Sequence, residues 1–314
     1  MSMVRAGVRE LVGHTPLVEL LHVPMPAGVR LFAKLESQNP TGSIKDRIAL
    51  RMLETARAEG VLAPGQPIME ASTGNTGLAV AMLGHALGHP VKVCVPESVY
   101  PEIGRLLTAY GASVRWIPRG AGIKTAREAA VEMARAEGAF MVDQFGNQEN
   151  VRTHYEETAA EILAALPRVD AFVAGIGTGG TITGVGRRLR EANPQCQVIG
   201  VEPRLGVHVQ GLASFAEGFE PPLLDESVLT AKLLTGNRNA VVRARQVLSL
   251  EGLSVGISSG AVLHAALRVS DRLRGNVVLM FADGGLKYVS TDIWGAADLT
   301  ADEHDDRIDD ILWW

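Results

Sequence analysis

The chain has 314 residues, which is enough to bury a large core and predicts one large or two medium domains. Its 46% hydrophobic residues, 5% aromatic residues and 34 glycines are typical of an α/β enzyme and disfavour a nucleic-acid-binding protein. The formal net charge of −5 disfavours a polyanionic partner. Only two cysteines, no apolar leader and no run of membrane-spanning length together predict a cytoplasmic protein without disulfides or a membrane partner.

Short apolar strands alternate with helical segments along most of the chain, and this pattern predicts parallel sheets covered by helices. The predicted strands are residues 29–36, 67–71, 91–96, 113–118, 139–145, 171–177, 197–203 and 276–283. The predicted helices include residues 77–87, 123–137, 151–166 and 240–251. The Gly- and Pro-rich stretch 205–234 is predicted to be a loop.

A lysine stands at a predicted strand–turn–helix junction, within residues 39–47, Asn-Pro-Thr-Gly-Ser-Ile-Lys-Asp-Arg. Pro40 and Gly42 favour a turn, and Ser43 is predicted to cap a helix whose first turn carries Lys45. α/β proteins bind ligands at such junctions, and a lysine that reacts with a carbonyl must lie at the mouth of a pocket. A single lysine in a first helical turn is more often a solvated surface residue, so its assignment depends on the loops that follow.

Residues 71–77, Ala-Ser-Thr-Gly-Asn-Thr-Gly, follow the next strand and lead into a helix. Their two glycines allow a ligand to approach the backbone, and the helix start offers unpaired N–H groups. The side chains between them add hydroxyl and amide donors: Ser72, Thr73, Asn75 and Thr76. An ordinary helix cap needs only one such residue, so this density predicts a site for a carboxylate.

Residues 174–181, Ala-Gly-Ile-Gly-Thr-Gly-Gly-Thr, form a second strand-to-helix turn, whose amides and threonine hydroxyls predict a phosphate site. Gly175, Gly177 and Gly180 also match the dinucleotide fingerprint G-x-G-x-x-G, and Glu202 follows at the required distance. Read locally, a nicotinamide-binding Rossmann site is therefore an alternative.

A third helix start, residues 256–261 (Gly-Ile-Ser-Ser-Gly-Ala), is by itself an ordinary serine-capped helix. A nicotinamide enzyme has no use for a turn lysine and a carboxylate loop in this arrangement. An enzyme that uses pyridoxal 5'-phosphate (PLP) needs a lysine, a phosphate site, a partner for the ring nitrogen and a site for the substrate carboxylate. The four segments together favour the PLP enzyme.

In this order, the four segments resemble the cysteine synthase family, most closely its cysteine synthase B branch, among the β-family (fold type II) of PLP enzymes. The likeness runs from residues 14–17, His-Thr-Pro-Leu, to residues 287–291, Lys-Tyr-Val-Ser-Thr. It implies a tryptophan synthase β-like fold, with two parallel-sheet α/β domains and PLP in the cleft between them. The implied domains are a smaller, mobile one (39–148), a larger one that binds the PLP phosphate (11–38 plus 149–297), and an acidic tail (298–314).

The resemblance implies β-replacement of an O-activated L-serine by a sulfur nucleophile, through an aminoacrylate intermediate, to give L-cysteine. It also implies a homodimer, and it leaves open whether the sulfur donor is sulfide, thiosulfate or a protein thiocarboxylate. Lys45 would form the internal aldimine and move the α-proton, Asn75 would contact the phenolic oxygen of the cofactor, and Ser258 would bond its ring nitrogen. The implied contacts to the phosphate are Gly177, Thr178, Gly179, Gly180 and Thr181, and those to the substrate carboxylate are Ser72, Thr73, Gly74, Thr76 and Gln144.

Two segments depart from the family pattern. Residues 100–105, Tyr-Pro-Glu-Ile-Gly-Arg, lack an arginine pair that the family commonly carries there, and Ala213 stands where relatives that use O-phosphoserine carry an arginine. A phosphate dianion favours a bidentate arginine, so Ala213 favours O-acetylserine. The helix at residues 260–267 resembles the O-phosphoserine branch instead, and the leaving group stays open.

The acidic tail ends in Ile-Leu-Trp-Trp at residues 311–314. It resembles an apolar tail that folds over the active-site mouth in the same relatives, so one hypothesis is that it shields the reaction intermediate. Packing at a dimer interface, or disorder, is the alternative.

The sequence leaves several other functions open. A serine or threonine dehydratase is disfavoured by the Gly-Thr-Gly-Gly-Thr loop, whereas a cystathionine β-synthase-like or S-sulfocysteine-forming enzyme is a closer alternative. The NAD(P)-binding Rossmann protein is the alternative of another class. His85 and His89 are four residues apart on a predicted helix, and we interpret them as a solvated face without a metal.

Overall fold

A computed structural model describes residues 4–118, 122–213, 220–295 and 311–313. The chain divides into two compact units. The first comprises Met1–Gly13 and Asn39–Asn150, and the second comprises His14–Gln38 and Val151–Trp314. Among the described residues, none of the helices is long and apolar enough to cross a membrane.

Eleven strands are formed in the described parts of the chain. They are β1 (Leu17–Glu19), β2 (Val29–Leu35), β3 (Ile68–Ala71), β4 (Val91–Pro96), β5 (Ser113–Ile117), β6 (Phe140–Met141), β7 (Ala171–Gly175), β8 (Gln197–Pro203), β9 (Ala231–Thr235), β10 (Gly275–Phe281) and β11 (Ile311–Trp313).

The same parts of the chain form nine α-helices. They are α1 (Lys45–Ala58), α2 (Asn75–Ala86), α3 (Pro101–Ala109), α4 (Ile123–Glu137), α5 (Glu149–Thr153), α6 (Ala159–Ala165), α7 (Gly180–Ala192), α8 (Asn237–Glu251) and α9 (Ile257–Arg268). A π-helical turn, His154–Thr158, joins α5 to α6.

The first unit is built on a parallel sheet with the strand order β5-β4-β3-β6. Every residue of β3 is buried, as expected for a central strand covered on both faces. In α1, Ile48, Met52 and Leu53 follow helical spacing and form the face that enters the core. Helix α2 is apolar on nearly all sides and is buried from Thr76 to Gly84. The loop that leads into it follows β3 directly.

The second unit is built on a seven-stranded sheet with the order β1-β2-β10-β7-β8-β9-β11. The five inner strands are parallel, and β1 and β11 close the two edges as antiparallel strands. Loops at the carboxyl ends of parallel strands are where such sheets bind ligands, and the loop after β7 is one of these. These two parallel sheets with covering helices confirm the predicted α/β class.

The C-terminal tail is an edge strand of this sheet. Ile311 pairs with Leu233 and Trp313 with Ala231, so β11 runs antiparallel to β9. Ladder partners place Ala231 beside Ile199 and Leu233 beside Val201, which in turn lies beside Gly175 at the end of β7. The backbone of the tail therefore runs away from the edge where the loop after β7 begins. This direction differs from the hypothesis of a tail folded over the active site; residues 298–310 and 314 lie outside the described residues.

Two local predictions are wrong. The loop predicted at 205–234 ends in strand β9, which forms because β8 and β11 offer ladder partners on both sides. The strand predicted at 139–145 is only Phe140–Met141, since Asp143 adopts a positive φ of 52° that turns the chain. Residues 214–219 of the predicted loop lie outside the described residues.

The solvated helix face predicted for the two histidines is also wrong. Helix α2 ends at Ala86, and Gly88 with a φ of +82° turns the chain, so His85 and His89 share no helix face. His85 is exposed, whereas His89 is buried with its Nδ1 2.9 Å from the carbonyl oxygen of Gln66.

Candidate active site

Lys45 is the first residue of α1. The next residue, Asp46, closes the loop that precedes the helix. The Asp46 carboxylate accepts a hydrogen bond from the Thr41 amide at 2.7 Å and another from the Thr41 hydroxyl. Gly42 adopts a φ of +79°, and its amide donates to the carbonyl oxygen of Asn39 at 2.8 Å. Lys45 is half-buried, while Asp46 beside it is fully buried. The loop therefore holds Lys45 half-buried between the buried residues Ile44 and Asp46.

The cap predicted for this helix is only partly present. Ile44 occupies the N-cap position and makes no side-chain cap bond. The Ser43 hydroxyl accepts from the Lys45 amide at 3.3 Å. Sequence reasoning missed Asp46, since a side-chain bond to an amide five residues earlier lies outside the usual local patterns.

The loop after β3 is held by its own first side chain. The Ser72 hydroxyl accepts from the amides of Gly74 at 3.0 Å and Gly77 at 2.9 Å, which folds residues 72–77 into a tight turn before α2. An added Cβ at Gly77 would lie 3.0 Å from Val93, so glycine lets the helix start close to the sheet. Ser72 and Thr76 are buried, whereas Thr73 and Asn75 are half-buried.

Gln144 contacts this loop although it lies 68 positions after Thr76 in the chain. Its Oε1 accepts from the Thr76 hydroxyl at 2.6 Å, and its Nε2 donates to the carbonyl oxygen of Ala71 at 3.1 Å. The structure thus joins two predicted carboxylate contacts, Thr76 and Gln144, by a hydrogen bond, while a third, Ser72, closes the same loop. It also adds a residue that sequence reasoning missed, Glu70, whose carboxylate accepts from the Gln144 amide at 3.3 Å.

In the second unit, the loop after β7 leads into α7 at Gly180. Gly179 adopts a φ of +85°, and an added Cβ would lie 2.6 Å from the amide nitrogen of Leu224; at Gly177 it would lie 2.7 Å from the carbonyl oxygen of Gly211. Residues 177–181 supply backbone amides at a helix N-terminus and two threonine hydroxyls, and no carboxylate. This donor set fits a phosphate dianion.

A histidine stands behind the phosphate loop. The Thr181 hydroxyl lies 3.1 Å from Nε2 of His154, whose Nδ1 lies 3.0 Å from the Thr158 hydroxyl. Both His154 and Thr158 belong to the π-helical turn, a local irregularity that is common at functional sites. Sequence reasoning missed this support, because it depends on the packing of α7 against that turn.

Ser258 lies in the first turn of α9, one residue after its start, and is buried. It is therefore not the N-cap; Gly256 is, and an added Cβ there would lie 1.8 Å from Oδ1 of Asp283. Asp283 accepts from the Gly256 amide through its carbonyl oxygen at 3.0 Å, and from the Tyr288 hydroxyl at 2.7 Å. These contacts hold the start of α9 against the segment after β10.

The acidic residue of the dinucleotide fingerprint has a different role. Glu202 is buried at the end of β8, and its Oε1 lies 3.2 Å from Nζ of Lys232 on β9. A carboxylate in such an ion pair is not presented to a ribose, so this geometry disfavours the Rossmann alternative.

Comparisons with known proteins likewise indicate a PLP-dependent enzyme. The family model described as pyridoxal-phosphate dependent enzyme matches residues 8–283. The cysteine synthase of Aquifex aeolicus is 38% identical over 306 residues, which cover 94% of this chain and 94% of that protein. The crystal structure of O-ureido-L-serine synthase has a TM-score of 0.89 and 34% identity, covering 96% of this chain and 98% of that one.

A further solved structure, the cysteine synthase (OASS) of Entamoeba histolytica, has a TM-score of 0.87 and 30% identity, and the match covers 95% of this chain and 93% of that one. All these matches extend over nearly the full length of the chain. The chain therefore belongs to the pyridoxal-phosphate dependent enzymes and, within them, to the cysteine synthase family of fold type II.

Proposed function

We propose that the enzyme replaces the β-substituent of an O-activated L-serine with a sulfur nucleophile to give L-cysteine. The observation that carries this proposal is the pairing, in one unit, of a half-buried lysine at a helix start with a loop of buried hydroxyls tied to Gln144. The lysine amine can bond covalently to a carbonyl carbon and can remove a proton from a substrate. The loop is a site for an amino-acid carboxylate. The cysteine synthase relatives support the same reaction class.

Bound PLP supplies an electron sink for the negative charge that develops at Cα of the substrate. We assign its phosphate to the loop after β7 through Gly177, Thr178, Gly179, Gly180 and Thr181. Asn75 at the start of α2 contacts the phenolic oxygen, and Ser258 in α9 contacts the ring nitrogen. Lys45 carries the cofactor and afterwards moves the proton at Cα.

The substrate carboxylate is assigned to the loop after β3. Its binding residues in this proposal are Ser72, Thr73, Gly74, Thr76 and Gln144. The amides at the start of α2 add the positive end of a helix dipole, which favours an anion. Holding the carboxylate there would orient the Cα–H bond for Lys45.

Ser258 has a chemical consequence for the reaction. A neutral hydroxyl does not enforce protonation of the ring nitrogen as a carboxylate would, so the cofactor is a weaker electron sink. Negative charge at Cα is then relieved best by prompt expulsion of the β-leaving group. This favours β-replacement over transamination.

The test of the assignment is Lys45→Ala in the holoenzyme. We expect the violet absorbance band that borohydride abolishes to be lost, and turnover of O-acetylserine with sulfide to fall by about 10²–10⁴-fold or more. Lys124→Ala is the matched control, since Lys124 is an exposed lysine in the first turn of α4 in the same unit. Normal turnover by a Lys45→Ala protein that still binds PLP would reject the assignment.

The leaving group and the sulfur donor are part of the proposal. Ala213 leaves residues 211–213 without an arginine for a phosphate, so we favour O-acetylserine over O-phosphoserine. Single-turnover spectra with the two substrates would separate them. Sulfide, thiosulfate and a protein thiocarboxylate can then be compared as donors under the same conditions.

A second candidate is supported by the similarity to O-ureido-L-serine synthase. That product carries an oxygen-linked ureido group on the carbon that carries sulfur in cysteine, so the enzyme would differ only in its nucleophile. Competition between sulfide and N-hydroxyurea for the same activated serine measures the preference. A product that is mainly the ureido compound would replace cysteine synthesis as the function.

We also propose a homodimer in the cytoplasm. Both cysteines are free and buried, which suits a reducing compartment. Sedimentation equilibrium and cell fractionation test the two statements.

A further inference from the structure

A carboxylic acid is buried in the middle of the sheet of the first unit, directly behind the carboxylate loop. Glu70 is the third residue of β3 and is 1% exposed. β3 lies between β4 and β6, and the ladder partner of Glu70 on β4 is Val93. An acid at such a position is costly unless its hydrogen bonds serve the fold or a site.

The two oxygens of Glu70 bind two different segments. Oε1 accepts from the Ala71 amide at 2.8 Å, and Oε2 accepts from the Gln144 amide at 3.3 Å. The carboxyl group therefore spans from the end of β3, where the carboxylate loop starts, to the segment after β6.

Gln144 is the residue that Glu70 holds. Besides its bonds to Thr76 and Ala71, its carbonyl oxygen accepts from Nδ2 of Asn150 at 2.8 Å. With the Glu70 contact, the backbone of Gln144 is fixed at both its N–H and its C=O. Its side chain is thereby directed at the loop that precedes α2.

The residue before Gln144 turns the chain toward Glu70. Asp143 has a φ of 52°, a left-handed conformation that is unfavourable for a residue with a side chain. Its carboxylate is held by Arg127 of α4 through two bonds of 2.8 Å. The turn is thus maintained by a bidentate ion pair, and it brings the Gln144 amide to Glu70.

We infer that Glu70 is a positioning residue for the substrate carboxylate: it fixes Gln144 against the Ser72–Thr76 loop and so sets the affinity for amino acids. This inference rests on the proposed function, because that proposal assigns the carboxylate to the loop. Glu70 itself does not contact the substrate.

Its charge state adds a second effect. Burial raises the pKa of Glu70 to about 8; Asp143 raises it further, while its two backbone hydrogen bonds and Arg127 oppose the shift. Among the described residues, Cys94 of β4 also interacts electrostatically with Glu70, and its own pKa is raised by burial, while Lys92 and Arg115 lower it and Glu137 raises it. At neutral pH the acid is mainly uncharged, and above pH 8 it places a negative charge behind a loop that binds an anion. Affinity for the carboxylate should then fall by up to about tenfold.

The experiment compares binding of L-serine and ethanolamine to the holoenzyme, followed by the change in cofactor absorbance between pH 6.5 and 9. L-serine lacks a good leaving group, and ethanolamine lacks the carboxylate, so their ratio isolates carboxylate recognition. Glu70→Gln keeps the volume and one acceptor oxygen but replaces the other oxygen with an NH₂ group, so the side chain can no longer accept from both the Ala71 and the Gln144 amides. Glu137→Gln on α4 is the control for a carboxylate-to-amide change in the same unit.

For Glu70→Gln we expect the dissociation constant for L-serine at pH 7 to rise about five- to tenfold, with that for ethanolamine unchanged. The preference for L-serine should fall with pH in the wild type and stay flat in the variant. A preference within twofold of the wild type, with the same pH profile, would overturn the inference. If Glu70→Gln does not fold, Glu70→Asp serves, since it keeps a titratable carboxyl group but is one methylene too short to reach Gln144, and the same rise in the dissociation constant for L-serine is expected.

Failure of the proposed function gives a different result. A wild-type enzyme that binds L-serine no better than ethanolamine would show that the loop is not a carboxylate site, and would reject both proposals. A wild-type preference that survives in Glu70→Gln rejects only the role of Glu70.

Discussion

At Gly179, both the backbone conformation and the neighbouring atoms disfavour a side chain. Its φ of +85° costs a residue with a side chain about 1–2 kcal/mol, and an added Cβ would lie 2.6 Å from the backbone nitrogen of Leu224. The loop that we assign to the cofactor phosphate therefore cannot accept a side chain there without moving.

We predict that Gly179→Ala weakens PLP binding at least tenfold and lowers the free energy of unfolding by about 2–4 kcal/mol. Gly252→Ala is the matched control, because Gly252 has a φ of +70° with no atom within 4 Å of an added Cβ. That control should lose only about 1–2 kcal/mol and keep its affinity for PLP. Titration of the apoenzyme with PLP and urea unfolding measure both quantities; equal PLP affinity in the two variants would contradict the prediction.

Lys45 shows what could be predicted at the residue scale. The turn and the helix start around it depend on neighbours within a few residues, and the structure confirms both. The carboxylate that closes the loop, Asp46, was missed because its bond to the Thr41 amide spans five residues, more than the usual local side-chain-to-backbone patterns.

Among the elements, β11 is the part of the C-terminal tail that the structure describes. It pairs with β9 in the larger sheet, so backbone groups of β9 that would otherwise be unpaired at the sheet edge are hydrogen-bonded. We infer that the described part of the tail covers the sheet edge.

Deletion of residues 311–314 is predicted to accelerate hydrogen exchange of the β9 amides that face β11, within Ala231–Thr235, by at least tenfold. Binding of PLP and the decay of the reaction intermediate's absorbance should stay unchanged. The amides of β4, in the other unit, provide the internal control. A shortened lifetime of the intermediate with unchanged exchange in β9 would instead support the tail as a cover of the active site.

Helix α7 and the π-helical turn form a second pair of elements that depend on each other. An added Cβ at Gly184 would lie 2.4 Å from the carbonyl oxygen of Val151 and 2.9 Å from Cβ of His154. Glycine there lets the helix approach closely enough for His154 to reach Thr181. This contact joins residues 27 positions apart, so no local pattern could predict it.

At the scale of the whole molecule, Glu70 makes stability depend on pH. Its ordinary pKa of 4.5 is raised to about 8 in the folded protein, so the folded state holds the proton more tightly than the unfolded state. This contribution to stability is fully present below pH 4.5 and is lost as pH rises towards 8. Asp225 and Glu251 act in the opposite sense, because hydrogen bonds lower their pKa values and their contributions are lost in acid.

We predict that the difference in unfolding free energy between wild type and Glu70→Gln changes by about 1 kcal/mol per pH unit between pH 5 and 8, in favour of the variant as pH rises. Urea unfolding at several pH values measures this difference, and Asp225 and Glu251 cancel because both proteins contain them. Glu137→Gln should show no such slope. A constant difference across this range would mean that Glu70 does not titrate there.

The sequence by itself determined the alternation of strands and helices, the α/β class and the loops that identify the family. These features depend on short-range hydrophobic periodicity and turn residues, which each segment carries within about ten residues. Only the tertiary structure decided that residues 231–235 form a strand, that the tail pairs with it, that His89 is buried, and that burial raises the pKa of the Glu70 carboxyl group, which accepts from the Gln144 amide. Each of these depends on partners distant in the chain, because strand pairing and the desolvation of a charge are properties of the packed molecule.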